Sequence, residues 1–207
     1  SPMADGPNIS DIRFVGPVSG RYNLLNESTS EPGPVYACRT HSLSPQIVAI
    51  AAPVIGSRGQ GVTLLLDHIG FLKGTIRHTG TGTFQVEIAA TPTARAKLAS
   101  RIDWLKRHRL RQTADKRAAA RKLPRRPATE FYVGGDAHNG FVVDYSETGA
   151  GISAKVRPPL GTAIEIGDLP AVVERHMDVG FAVQFGAGLA LDSIESHLGQ
   201  RRGAPAA

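Results

Sequence analysis

Short apolar segments separated by turn-forming residues fill the first part of the chain, from residue 20 to residue 88. Clusters of Gly, Pro, Ser and Asn divide these segments at regular intervals. The apolar segments are residues 35–38, 47–52, 62–66, 72–77 and 84–88. Such spacing is typical of an antiparallel sandwich or barrel. The pattern therefore predicts a small all-β unit.

The pattern changes to helical spacing at Thr91-Pro92. Thr is a good N-cap, and Pro suits the first position of a helix. Leu98, Ile102 and Leu105 then follow on one face, with basic residues around the rest of the surface. We therefore predict a linking basic helix over residues 91–116, with Trp104 packed against a β-unit rather than exposed to solvent.

Short β segments return after Arg126-Pro127, a pair that ends any helix. Residues 131–133 and 141–143 flank the sequence Gly-Gly-Asp-Ala-His-Asn-Gly, which predicts a hairpin. A short amphipathic helix then carries Leu191, Ile194 and Leu198 on one side. Between the hairpin and this helix, further strands are predicted at residues 152–156, 163–166, 171–175 and 181–185.

The two halves of the chain resemble each other at an offset of about 100 residues. Residues 42–50 parallel residues 144–152, and residues 76–88 parallel residues 174–185. The repeat predicts a mainly β fold of two small antiparallel barrels, each followed by a helix. The predicted organisation is a flexible lead-in (1–19), a barrel (20–90), the linking helix (91–116), a second barrel (117–200) and a flexible tail (201–207).

Charge is concentrated in one segment of this 207-residue chain, whose formal net charge is +6. Residues 95–126 hold 13 Lys and Arg but only two acidic residues, so the remaining chain carries 11 basic and 16 acidic residues. Such a segment is either a solvated linker helix or a phosphate-binding surface. The asymmetry points to a local anion site rather than to a uniformly basic protein.

Several function classes lose support from the residues themselves. Cys38 is the only cysteine, which excludes an internal disulfide framework and fits a reducing cytoplasm. No apolar run reaches the length of a membrane helix, and the N-terminus lacks a secretory signal. Ser146 lacks a Gly-x-Ser-x-Gly elbow, and the histidines lack metal-ligand spacing. We therefore expect a cytoplasmic protein that is not an enzyme and that holds no metal or cofactor.

Two short motifs remain. The first is Arg117-Ala-Ala-Ala-Arg121-Lys-Leu-Pro-Arg125, and the second is Asp144-Tyr-Ser146-Glu-Thr-Gly149. Arg121 fits two arginine pairs, Arg117/Arg121 and Arg121/Arg125, and the spacing to Asp144 suits the first pair better. In this order, with a hairpin between them, the motifs resemble the PilZ domain family, which carries R-x-x-x-R followed by D/N-x-S-x-x-G.

The resemblance implies PilZ-like β-barrels and binding of cyclic di-GMP, a bacterial second messenger with two phosphates and two guanines. The residue types suit that ligand. Arginine can hold a phosphate bidentately and stack on a base. A carboxylate at Asp144 suits the guanine N–H edge, Ser146 adds a small donor and acceptor, and Gly149 allows close approach of the backbone. No bond making is required, so the resemblance implies a receptor.

The first half departs from the motif. Ser42, Ser44 and Ile47 stand at the positions of Asp, Ser and Gly, and Arg13 and Arg21 are too far apart for R-x-x-x-R. We therefore expect a degenerate first copy with a structural or protein-partner role, and one ligand site per chain in the second half.

Three functions stay open at this point. The first is a cyclic di-GMP receptor that relays occupancy to a protein partner through rearrangement of the arginine segment. The second is a DNA- or RNA-binding regulator that uses the basic helix, although no helix-turn-helix or zinc finger supports it. The third is a non-binding PilZ adaptor that acts only through protein contacts. The sequence leaves the partner, the pathway and the stacking state of the ligand open.

Overall fold

The computed structural model describes residues 12–112, 121–186 and 189–201 and divides the chain into two compact units. The first unit lies mainly before residue 118 and the second mainly after it. The chain is mainly β, with one α-helix following the strands of each unit. This confirms the predicted fold class.

The first unit is a seven-stranded sheet in the order β1-β3-β2-β5-β6-β7-β4, in which β3 also pairs with β4. Strict alternation buries Val62, Leu64 and Leu66 on one face of β5. The predicted apolar segments all fall in strands. These strands are β1 (Phe14–Val15), β2 (Ser19–Leu25), β3 (Pro32–Leu43), β4 (Ile47–Ala51), β5 (Gly61–Leu66), β6 (Gly70–Gly80) and β7 (Thr83–Ile88).

Part of the predicted flexible lead-in belongs to this sheet. Phe14 and Val18 are buried, and β1 pairs with the end of β3. The lack of periodicity before residue 20 concealed this strand because it is only two residues long.

Helix α1 (Pro92–Gln112) follows the first sheet and begins as the N-cap signal predicts. The hydroxyl of Thr91 accepts a hydrogen bond from the Ala94 amide at 3.1 Å. Leu98, Ile102 and Leu105 are buried, as predicted. The prediction for Trp104 holds only in part: the residue is 39% exposed and stacks on His108 with ring centroids 4.1 Å apart, but its ring also lies 6.1 Å from that of His68. Trp104 lies about 100° around the helix from Leu105, away from the buried stripe.

The second unit is a closed six-stranded barrel in the order β10-β13-β12-β11-β8-β9. Its core includes Phe131, Ile152 and Phe181, and Ile194 and Leu198 of helix α2 pack against them. The elements are β8 (Ala128–Val133), β9 (Asp136–Tyr145), β10 (Gly149–Ser153), β11 (Ala163–Ile166), β12 (Leu169–Met177), β13 (Gly180–Phe185) and α2 (Leu191–Leu198).

The predicted hairpin joins β8 to β9 through a tighter turn than the sequence indicates. Gly134 and Gly135 have φ of 57° and 90°, as the two central residues of a type I′ turn require. Strand β9 therefore begins at Asp136, and the remaining residues of the predicted loop lie in the strand. Strand β10 begins at Gly149 and ends at Ser153, so the predicted strand over residues 152–156 is shifted, and residues 154–156 lie outside β10.

The two units share their strand order. The sequence of neighbours β3-β4-β7-β6-β5-β2 in the first unit has the same connectivity as β9-β10-β13-β12-β11-β8 in the second. The same register shift recurs as well. It lies between Thr40 and Ser42 where β3 faces β4, and between Val142 and Asp144 where β9 faces β10. Asp144 and Ser42 thus each follow a β-bulge directly.

Candidate functional site

The site forms where the segment after residue 120 runs beside the end of β9. The amide of Lys122 donates to the Tyr145 carbonyl at 2.7 Å, and the Tyr145 amide donates back to the Lys122 carbonyl at 2.9 Å. This two-way backbone bridge fixes the register between the two predicted motifs. It places Arg121 beside Asp144, although 23 residues separate them in the chain.

Arg121 and Asp144 form an ion pair. Nη2 of Arg121 donates to Oδ1 of Asp144 at 2.7 Å, and the two side chains are 43% and 31% exposed. The hydrogen bond to Asp144 raises the pKa of the Arg121 guanidinium, burial opposes that rise, and the charges of Asp144 and Glu174 add to it. Arg121 is therefore a fixed positive charge at the edge of the barrel, open to solvent and to ligands.

Gly151 leaves room at the carboxylate and was not among the predicted site residues. It pairs with Asp144 across β9 and β10. A Cβ atom there would lie 3.0 Å from Oδ1 of Asp144 and 3.3 Å from Cε of Met177. The absence of a side chain at this position therefore leaves space beside the Asp144 carboxylate. A second glycine two residues after Gly149 is the signal that sequence reasoning left unused.

Ser146 and Gly149 build the turn between β9 and β10. The Ser146 amide donates to the Gly149 carbonyl at 2.8 Å, and the Thr148 amide donates to the Ser146 hydroxyl at 3.3 Å. A Cβ atom on Gly149 would lie 2.2 Å from the carbonyl oxygen of Val183 on β13. The contact that requires glycine at residue 149 is thus with a neighbouring strand.

Arg125 is held through its backbone by a carboxylate of α2. Its amide donates to Oε1 of Glu195, and the Tyr145 hydroxyl donates to Oε2 of the same group at 3.2 Å. Burial first, and then the charge and hydrogen bond of Glu195, raise the pKa of Tyr145. Glu195 thereby connects the arginine segment, β9 and α2. Sequence reasoning missed it, because nothing in the sequence around a half-buried helical Glu marks a partner 70 residues away.

The structure brings together only part of the predicted arginine set. Arg121 contacts Asp144 through its side chain, whereas Arg125 is exposed and fixed through its backbone. Arg117 lies outside the described residues. The choice between the pairs Arg117/Arg121 and Arg121/Arg125 therefore stays a prediction.

The first unit has an equivalent of this site without the carboxylate. Strand β1 lies beside the end of β3, with Phe14 paired to Leu43, as Lys122 is paired to Tyr145 in the second unit. Arg13 precedes Phe14 as Arg121 precedes Lys122, but the residue at the position of Asp144 is Ser42. A serine cannot form an ion pair with Arg13.

The turn after this position is nevertheless the same in the first unit. The Ser44 amide donates to the Ile47 carbonyl at 3.0 Å, as the Ser146 amide donates to the Gly149 carbonyl. Ser44 and Ser146 therefore occupy the same turn in the two units, although only Ser146 has a carboxylate, Asp144, two residues before it. The role that they share is to build the turn.

Two other kinds of feature were sought in residues 12–112, 121–186 and 189–201. Over these ranges no group of three or more His, Cys, Asp or Glu side chains could hold a metal ion. Within the same ranges no helix is long and apolar enough to cross a membrane.

Comparison with known proteins gives matches among solved structures alone. No protein-family model matches the chain, and no curated protein matches it. The Borreliella burgdorferi PlzA protein in complex with c-di-GMP matches at 10% identity and a TM-score of 0.30, over 87% of this chain and 86% of that one. The Bacillus subtilis inhibitor of motility MotI/DgrA matches at 11% identity and a TM-score of 0.29, over 89% and 94%.

The K. pneumonia MrkH–c-di-GMP complex matches at 8% identity and a TM-score of 0.27, over 86% of this chain and 83% of that one. Superpositions at these TM-scores establish neither the fold nor the function of this chain. Its fold follows from its own strand pairing.

Proposed function

We propose that this chain is a receptor for cyclic di-GMP, that its binding site lies around Arg121 and Asp144, and that it catalyses no reaction. The observation that carries the proposal is the 2.7 Å ion pair between these two residues. It joins an arginine of the R-x-x-x-R motif to the aspartate of the D-x-S-x-x-G motif, as a shared ligand site requires. The support comes from these residues and their sequence resemblance to the PilZ family, not from the superpositions.

The two side chains suit the two kinds of group on the ligand. The planar guanidinium of Arg121 can grip a phosphate with two parallel hydrogen bonds. The carboxylate of Asp144 can accept hydrogen bonds from the Watson–Crick N–H groups of a guanine. Arg125 adds a second cation on the same segment. Two phosphates and two guanines offer partners for all three side chains.

Ligand binding exchanges partners within this site. In the free protein Arg121 and Asp144 satisfy each other, and ligand must separate them. The pair shares one hydrogen bond at 2.7 Å, whereas a phosphate can take two from Arg121 and a guanine can give two to Asp144. The exchange increases the number of charge-assisted hydrogen bonds and so favours the bound state. It also alters the contacts of the arginine segment, which Glu195 ties to α2, and we propose that this change relays occupancy to a protein partner.

We propose further that the two units are copies of one PilZ-like domain, at residues 20–90 and 117–200, and that the first has lost the ligand. The shared strand order and the shared bulge before Ser42 and Asp144 support a common origin. Replacement of the carboxylate by Ser42 accounts for the loss. Cys38, a single buried thiol, fits our placement of the receptor in the bacterial cytoplasm.

Calorimetric titration of the full chain with cyclic di-GMP and with cyclic di-AMP tests the proposal. Arg121→Ala should weaken cyclic di-GMP binding by about 10- to 100-fold, from the loss of charge-assisted hydrogen bonds. Lys122→Ala is the matched control, because it removes the adjacent exposed cation and should change the affinity little. Cyclic di-AMP, which lacks the guanine N–H edge, should bind more weakly. Equal affinity for both dinucleotides, or an unaffected Arg121→Ala variant, would contradict the proposal.

A further inference from the structure

We infer that the first unit carries a docking groove for an acidic segment of a partner protein that inserts apolar side chains. The groove, here called the α1 groove, lies between β6, the end of β7 and helix α1, and its volume is about 500 Å³. Phe71, Lys73, Ile88, Lys97, Leu98 and Arg101 line it. Nothing in the Arg121–Asp144 site involves these residues.

The wall of the α1 groove is apolar and open to solvent. Phe71, which lines the groove, is 59% exposed, and beside it, outside the groove, its cross-strand partner Leu65 is 47% exposed on the same face of the sheet. Ile88 and Leu98 are buried at the floor. Two large apolar side chains side by side on a surface mark an interaction site more strongly than isolated ones do.

The rim of the groove is cationic. Nζ of Lys73 lies 5.7 Å from the centre of the Phe71 ring, and Lys97 is exposed on α1. Nη1 of Arg101 donates to the Ile69 carbonyl at 2.6 Å, which fixes its guanidinium at the edge. None of the described residues that line the groove carries a carboxylate. The lining thus holds three cations and no carboxylate, which favours a negatively charged occupant.

A second depression continues the groove along α1. It has a volume of about 340 Å³ and is lined by His68, Ser100, Arg101 and Trp104. Arg101 belongs to both depressions, so the apolar positions Phe71 and Trp104 flank one cation. The occupant that fits is an acidic stretch with two apolar side chains, one for each depression.

The composition of the groove favours a protein over a nucleic acid. Its buried floor is aliphatic, with Ile88 and Leu98, and Ala90 and Ala94 also line it. Surfaces for single-stranded nucleic acids stack successive bases on several aromatic rings, whereas cores of protein interfaces are apolar with cationic and aromatic residues around them. This inference rests on the proposed function in that a relay of ligand occupancy needs a surface for a partner.

A fluorescein-labelled peptide of alternating Glu and Ala, with two leucines one helical turn apart, is the probe. Its binding to the full chain is followed by fluorescence anisotropy. We expect binding to weaken about tenfold or more in Lys97→Glu and in Phe71→Ser. Lys106→Glu is the matched control, because it makes the same charge change at an exposed α1 position outside the groove and should shift the affinity by less than about threefold.

The chemistry of the peptide separates the charge effect from the apolar effect. Replacing its glutamates with glutamine, or its leucines with alanine, should each weaken binding by about tenfold. Failure of the parent peptide to bind, or equal losses in Lys97→Glu and Lys106→Glu, would overturn the inference. So would binding of a thymidine oligonucleotide in place of the peptide, or self-association of the chain that Phe71→Ser abolishes.

Titration of the same variants with cyclic di-GMP keeps this inference separate from the proposed function. Lys97→Glu and Phe71→Ser should bind cyclic di-GMP with unchanged affinity. Binding of the peptide without binding of cyclic di-GMP would support the α1 groove and contradict the proposed receptor function. Binding of cyclic di-GMP without binding of the peptide would support the receptor function and contradict the α1 groove.

Discussion

Replacing Gly149 with alanine tests whether this glycine serves the barrel or the ligand. The resemblance to the PilZ motif suggests that a missing side chain lets a ligand approach. In the structure, however, the missing atom would meet the carbonyl oxygen of Val183 at 2.2 Å. That oxygen belongs to β13, the strand that pairs with β10. The substitution should therefore affect folding before it affects ligand binding.

The magnitude follows from that distance. A carbon and an oxygen atom need more than 3 Å, so β10 and β13 must separate by roughly 1 Å where they pair. Overpacking of this kind costs about 1–3 kcal/mol, and the stiffer unfolded chain of alanine offsets about 0.4–1 kcal/mol of it. We expect a net loss of about 1.3 kcal/mol, which lowers Tm by about 5–10 °C for a unit of this size.

Urea unfolding followed by far-UV circular dichroism measures the loss. Gly186→Ala is the matched control, because no atom lies within 4 Å of the added carbon, and it should change the free energy of unfolding by less than about 0.5 kcal/mol. Folded Gly149→Ala protein should bind cyclic di-GMP nearly as tightly as the parent chain. A variant with unchanged stability and lost binding would refute this reasoning and return Gly149 to the ligand site.

Three further predictions concern individual groups. Burial and Glu195 raise the pKa of Tyr145 above 10, so the folded chain holds the phenolic proton more tightly than the unfolded chain. Its contribution to stability is therefore present below about pH 10 and lost as the pH rises through the raised pKa. Glu195→Gln should lower the pKa of Tyr145, measured as the phenolate absorbance against pH after subtracting the titration of Tyr145→Phe. An unchanged pKa would count against the contact between Tyr145 and Glu195. Cys38 is 1% exposed, and burial and then the charge of Asp67 raise the pKa of its thiol. Ellman's reagent should therefore modify Cys38 only in denaturant. Rapid modification of the native protein would contradict the burial of this thiol. Cyclic di-GMP should slow amide exchange at residues 121–126 and leave residues 12–15 unchanged; protection at both would mean that the first unit also binds ligand.

Strand positions could be predicted because short apolar segments between turn-forming residues mark them locally. In the first unit, for example, the apolar segment 62–66 falls in β5, where Val62, Leu64 and Leu66 are buried. The N-cap at Thr91 could also be predicted, since it depends on the local sequence alone. Features with a local cause could therefore be predicted.

Features that depend on contacts across the chain could not. Trp104 is apolar and is expected to pack against a β-unit, yet its place on α1, to one side of the buried stripe, leaves it 39% exposed. Glu195 reaches Tyr145 and the arginine segment only because α2 returns to the barrel. Arg121 and Asp144 were each predicted by resemblance to contact the ligand, whereas neither their ion pair nor the backbone bridge at Lys122 has a signal in the sequence.

The central claim is that one cyclic di-GMP site lies between Arg121 and Asp144. Calorimetric titration of the parent chain and of the Arg121→Ala/Asp144→Ala double variant tests it most directly. The parent chain should show one saturable binding event, with one ligand molecule or one stacked ligand pair per chain, and the folded double variant should show none. Absence of binding to the parent chain, or binding that survives in the double variant, would contradict the account.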